Sequence, residues 1–142
     1  MSDIFGQSTR NTGADMEFVD KASGTVVLGF RSAIGSLPVS SSADSLTAHA
    51  GGGQTSALQL TAAINRVTTV ASGNDSVKLP VSTAGLEVTV INAAASNSLV
   101  AYGQTGDIIN ALSANTGFTV AANKVCVFFC CTAGQWHTQL TA

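Results

Sequence analysis

The sequence predicts an all-β protein, an antiparallel, jelly-roll-like β-sandwich carrying an extended N-terminal arm. Three observations lead there. Short runs rich in β-branched and aromatic residues fill the chain from position 57 onward, the composition that suits a pleated, half-buried surface. Turn residues punctuate those runs roughly every 8–12 residues, the spacing of sandwiches and barrels. The one helical candidate, Ala62-Ala63-Ile64, is too short to count.

The elements follow in three zones. Residues 1–31 are the arm and hold half of all the charges: Asp3, Arg10, Asp15, Glu17, Asp20, Lys21 and Arg31. This zone reads as irregular apart from one strand at Thr25–Phe30, and it has the character either of a segment that becomes ordered against something else or of a frayed terminus. Residues 32–56 read as a Ser/Gly-rich linker or long surface loop, with Ser40-Ser41-Ser42, Gly51-Gly52-Gly53 and Pro38 breaking any regular element. A structureless loop of that length is unusual inside a compact domain, so it is expected to run over a neighbouring surface. Residues 57–142 form the sandwich module.

Strands are expected there at Ala57–Leu60, Arg66–Ala71, Ser76–Leu79, Leu86–Asn92, Ser98–Tyr102, Gly117–Ala121, Lys124–Thr132 and Gln135–Leu140. Leu86, Val88 and Val90 alternate with Glu87 and Thr89, so one face is buried and the other wet. The breaks fall at Ser72-Gly73-Asn74-Asp75, Ala84-Gly85, Gly103 to Asp107, Ala122-Asn123 and Ala133-Gly134. Pro80 ends a strand because it has no N–H to give to a ladder. Gly106 is expected at positive φ. Asn92 and Asp107 suit turns, where their side chains cap local backbone. Trp136, the single tryptophan, should close the core with its N–H partnered. No internal repeat is evident.

Composition narrows the function classes. With 45% hydrophobic residues the chain can bury a sizeable core, and with only 10% charged residues it has few charges to spread over a surface; an ordinary soluble domain has about 25%. Ala, Ser, Thr and Gly fill the gap, and a surface of small neutral residues favours an oligomer over a monomer. Net charge is −2, and the six basic residues are scattered, so the basic patch that binds nucleic acid is not expected. No apolar run approaches the roughly 18 residues of a membrane span. Met1-Ser2-Asp3-Ile4-Phe5 lacks the basic-then-apolar pattern of a secretory signal, so folding is expected in a reducing cytosol.

The residues that carry chemistry elsewhere read as structural here. Cys126 and Cys130 share one face of a strand about 13 Å apart, too far for a disulfide or a shared metal ion, and Cys131 points the other way. They read as small core hydrophobes. His49 and His137 have no Cys or carboxylate partner at ligand spacing. No nucleophile elbow is present. Asp75 and Asp107 fall in turns and Glu87 on a wet face, so no carboxylate pair of the glycosidase kind is expected. Gly51-Gly52-Gly53 lacks the Lys and helix of a phosphate loop. The expectation is a non-enzyme without cofactor or metal.

An ordered set of fragments points further. Ala57-Leu58-Gln59-Leu60-Thr61, Asn65-Arg66-Val67-Thr68-Thr69-Val70, Asp75-Ser76-Val77-Lys78-Leu79-Pro80, Ala84-Gly85-Leu86-Glu87-Val88-Thr89-Val90-Ile91-Asn92, Leu99-Val100-Ala101-Tyr102, Thr105-Gly106-Asp107-Ile108-Ile109-Asn110 and Gly134-Gln135-Trp136 follow one another. This order resembles a β module of tailed-bacteriophage virion proteins, found in capsid decoration (cement) and head-fibre proteins and in parts of tail fibres. The resemblance spans 57–142. It implies an oligomeric β-sandwich, often a trimer, with no catalytic role.

On that basis the chain is expected to decorate the capsid exterior after synthesis in the host cytoplasm, as a homo-oligomer bound to the major capsid protein, without nucleic acid or membrane. The arm would supply the attachment, through Phe5, Arg10, Glu17, Phe18, Val26, Leu28, Phe30 and Arg31. Its charges would pair with the shell, and its strand would add to a partner's sheet. A head-fibre or tail-fibre component binding a host receptor or glycan is the alternative.

Overall fold

A computed structural model describes residues 40–141 with their side chains and the backbones of three strands nearer the N-terminus. The chain divides into two compact units, Met1–Val39 and Ser40–Ala142.

In the first unit β1 (Gln7–Asn11), β2 (Asp15–Asp20) and β3 (Val26–Arg31) form an antiparallel sheet in the order β1-β2-β3. The strand expected at Thr25–Phe30 is β3, shifted by one residue; β1 and β2 fall where irregular chain was expected.

In the second unit, ten strands make two sheets, and the topology overturns the antiparallel β-sandwich. The strands are β4 (Ser42–Thr47), β5 (Leu58–Gln59), β6 (Ile64–Thr69), β7 (Ser76–Lys78), β8 (Leu86–Asn92), β9 (Leu99–Tyr102), β10 (Ile108–Ile109), β11 (Phe118–Val120), β12 (Lys124–Thr132) and β13 (Gln135–Leu140). Up to β9 they alternate between the sheets. β4, β6 and β8 pair in parallel in one sheet, and β5, β7 and β9 pair in parallel in the other. Each step of the chain is therefore a coil laid on the one before, and the fold is a short β-solenoid of three stacked coils. The remaining strands close it: β12 runs antiparallel to β8, β11 antiparallel to β9, β13 antiparallel to β12, and β10 parallel to β13. The sheet orders are β10-β13-β12-β8-β6-β4 and β11-β9-β7-β5.

Alternation and turn spacing do not reveal this arrangement. A hairpin and a coil step both bury one face and both turn at Gly, Asn or Asp; they differ in whether a strand pairs with the next strand or with the next but one. The coils are also unequal. Ser42 pairs with Ile64 and Ile64 with Thr89, steps of 22 and 25 residues (64 − 42 and 89 − 64), so no fixed period is left in the sequence. β4 itself lies in the low-complexity stretch.

One core lies between the sheets. Across the six-stranded sheet the register aligns Val88 with Phe128, and Leu86 with Cys130 and Trp136. Across the other sheet it aligns Leu58, Val77, Ala101 and Phe118. Phe118 and Phe128 bridge the two sheets edge to face, with centroids 6.0 Å apart at 89°. Trp136 and Phe128 are the largest fully buried side chains. Burying such residues is worth about 1.5–3 kcal/mol each.

Candidate functional site

The polar residues that a search for chemistry would select hold the coils together. Asp75, buried in the turn after β6, accepts bonds from the Ala71 N–H (2.7 Å), the Ser72 N–H (3.1 Å), the Ser72 hydroxyl (2.6 Å) and the Gly51 N–H (3.2 Å). The Ser72 hydroxyl, with these backbone donors, holds the Asp75 carboxyl below the usual carboxylate range against the opposing effect of burial. Asp107 accepts from the Gln104 N–H (2.9 Å), the Trp136 Nε1–H (3.0 Å) and the Ser82 hydroxyl (3.1 Å). Ser82 Oγ in turn accepts from the Gly134 N–H at 2.9 Å. Asp107 thus ties the end of the third coil to the β12–β13 hairpin. Gly103 is required beside it, since a Cβ there would sit 2.5 Å from Asp107 Cβ.

Amides do the same work between coils. Asn92 donates to the Asn97 and Val120 carbonyls, both at 2.9 Å, and accepts from the Ala94 N–H at 3.1 Å. Asn97 donates to the Val70 carbonyl (2.8 Å) and the Ala71 carbonyl (3.0 Å), one coil back. Gln104 donates to the Leu79 carbonyl (2.6 Å) and to Gln59 Oε1 (3.1 Å). Asn65 donates to the Ala62 carbonyl at 2.7 Å, while its buried Oδ1 has no partner among the described residues. These side chains satisfy backbone groups that a coil corner leaves open.

Two of the three thiols are shielded by the core. Cys126 and Cys130 face inward and are buried, and Cys131 is exposed. Burial pushes the Cys126 thiol up to about 11. Burial raises Cys130 as well, helped by the charges of Asp107 and Cys131; the thiolate is the reactive form. His49 and His137 are exposed. Among the described residues no group of three His, Cys, Asp or Glu could hold a metal ion, and no helix is long and apolar enough to cross a membrane.

The feature without an internal explanation is the outer face of the six-stranded sheet. β12 is apolar on both sides: Cys126, Phe128 and Cys130 point to the core, and Val125, Val127 and Phe129 point out, only half-buried. Ile91 of β8 lies beside Val125 on the same face. Ile64 of β6 pairs with Thr89 and is 38% exposed. Glu87 is exposed next to Phe129. Arg66, next to Ile91, pairs with Asp44 at 2.9 Å. The sequence carried a signal for this face, the unbroken apolar run Val125–Cys131, which does not alternate as a strand with one wet side does.

The residues expected to bind a partner lie in the first unit. Phe5 is outside the described residues. The others share one sheet. Arg10 of β1 is in register with Glu17 of β2. Phe18 is in register with Leu28, and the partners of Val26, Phe30 and Arg31 are Val19, Met16 and Asp15. β3 is an edge strand of that sheet. Comparison with family models, with curated proteins and with solved structures finds no match for this chain.

Proposed function

We propose that this chain is a non-enzymatic structural protein of a bacteriophage virion that decorates the capsid as an oligomer, bound to the major capsid protein. The observation that carries the reading is how little charge the solenoid unit presents. With Asp75 and Asp107 buried and bonded, the charged side chains left over residues 40–141 are Asp44, Arg66, Lys78, Glu87 and Lys124. A neutral surface of small residues and an apolar outer sheet face suit packing against protein. Half of the charges sit in residues 1–31, where β3 is an edge strand of its sheet, the position at which a partner's sheet can be extended. Many weak contacts on a shell add through multivalency.

The test is co-sedimentation of the full chain with mature capsids stripped of small proteins, with host cells in parallel. Saturable binding at a fixed ratio per capsomer, weakened by removing residues 1–31, supports decoration. Binding to cells and not to capsids overturns it in favour of a receptor-binding fibre component.

A further inference from the structure

We infer that the outer face of the six-stranded sheet is self-complementary and takes the same face of a second copy of this chain about a two-fold axis. The inference rests on the reading of the chain as an oligomeric structural protein and names the occupant of that face.

The register sorts the outward residues into three rows running across the strands. The middle row is Gln139, Val127, Thr89, Ile64 and Ser42. Every residue in it is uncharged. On one side lie His137, Phe129 and Glu87. On the other lie Val125, Ile91 and Arg66. Glu87 and Arg66 are therefore on opposite sides of an uncharged row, with Asp44 paired to Arg66 on its side.

A two-fold axis lying along that middle row, parallel to the sheet and across the strands, exchanges the flanking rows. Val127 then meets Val127 and Ile64 meets Ile64. Phe129 covers Val125. Glu87 of each copy lands over Ile91 of the other, one strand spacing (about 4.8 Å) from Arg66. An axis along the strands fails by comparison: centred on β8 it stacks Glu87 on Glu87, and centred between β8 and β12 it presses Glu87 onto Phe129 with no base beside it. Of these three axes, the crosswise one alone sets Val127 and Ile64 against their own copies and brings each Glu87 beside an Arg66, whose guanidinium also holds Asp44.

The patch is about five strands wide and three residue pairs long, roughly 24 by 20 Å. It would cover on the order of 1,000 Å² over both copies, the lower limit of specific interfaces. The pair is thus expected to be a concentration-dependent dimer.

Sedimentation equilibrium of the full chain over a wide concentration range tests this. The wild type should fit a monomer–dimer equilibrium. Val127→Asp, which sets two carboxylates against each other on the axis, should weaken dimerisation on the order of 100-fold. Glu87→Arg and Arg66→Glu should each weaken it about tenfold, and the double exchange should restore it. All three positions face outward, and an unchanged thermal melt of each variant at high dilution separates loss of pairing from loss of folding. A monomer at every concentration, an oligomer indifferent to Val127→Asp, or a double exchange that restores nothing overturns the inference. The capsid assay separates the two proposals. A monomeric chain that still saturates capsids overturns the pairing alone, and a dimer that ignores capsids supports the pairing while the virion reading falls.

Discussion

The two ends of the coil stack deal with an open strand edge in opposite ways. At the end of the third coil the chain reverses and pairs: β12 covers β8 over seven register positions from Lys124–Asn92 to Cys130–Leu86, and β11 covers β9. At the first coil, β4 is left at the sheet edge and made unfit for pairing. Its register against β6 shifts twice, Ser45 takes a φ of 57°, and Asp44 sits on it in an exposed ion pair with Arg66. Bulges and charges on an edge are standard protection against unwanted strand addition. The two largest buried side chains, Trp136 and Phe128, belong to the closed end, whereas the edge of the first coil is guarded by geometry and charge.

Substitutions at the two ends should therefore differ in scale. Trp136→Ala removes the largest buried side chain and the donor to Asp107; a loss of about 3–5 kcal/mol is expected in chemical denaturation. Trp136→Phe, which keeps most of the volume and loses the bond, should recover more than half of it. A result under 1 kcal/mol for Trp136→Ala would erase the distinction between the ends.

Next in size is Gly117, where the chain enters β11. A Cβ there collides with Val100 Cγ1 and comes within 2.8 Å of the Tyr102 ring, so Gly117→Ala should cost about 1–3 kcal/mol through forced repacking. Gly73, with open space around its position, is the control. Gly73→Ala should leave the melting temperature unchanged.

Asp75 sharpens the comparison from the coil side. Its folded carboxyl lies below its ordinary value, chiefly because of the Ser72 hydroxyl. Its contribution is therefore fully present above the unfolded value, near about 3.9, and is lost as pH falls through the lower folded value. Asp75→Asn should lower the melting temperature at pH 7 and flatten the acid limb of the stability profile below about pH 4. A variant that keeps the wild-type acid limb would remove Asp75 from the cause. The smallest effect belongs to the open edge. Arg66→Ala breaks an ion pair whose partners are 48% and 65% exposed, and no measurable change in melting temperature is expected.

Local residue chemistry made much of this legible. Leu86–Asn92, Lys124–Thr132 and Gln135–Leu140 are strands over the ranges their composition marks. Gly106 has positive φ, and Trp136 is buried with its N–H bonded. Each of these depends on a residue and its near neighbours. What stayed hidden depends on distant ones. β10 is two residues long and exists because it lies along β13. β4 looks like linker because Ser, Ala and Asp fill a half-exposed edge. Asn92 reads as a turn residue, yet it is buried at the end of β8, where its amide meets carbonyls from neighbouring segments.

The sequence by itself determined that the chain is all-β and where its longer strands and turns lie. Only the tertiary structure decided that successive strands stack as coils instead of folding back as hairpins, and that an uncharged row separates Glu87 from Arg66 on one outer face. The reason is that strand propensity and alternation act through local conformation and burial, which parallel and antiparallel pairing satisfy equally. Direction and register are set by contacts between residues some 20 positions apart, and no local signal records them.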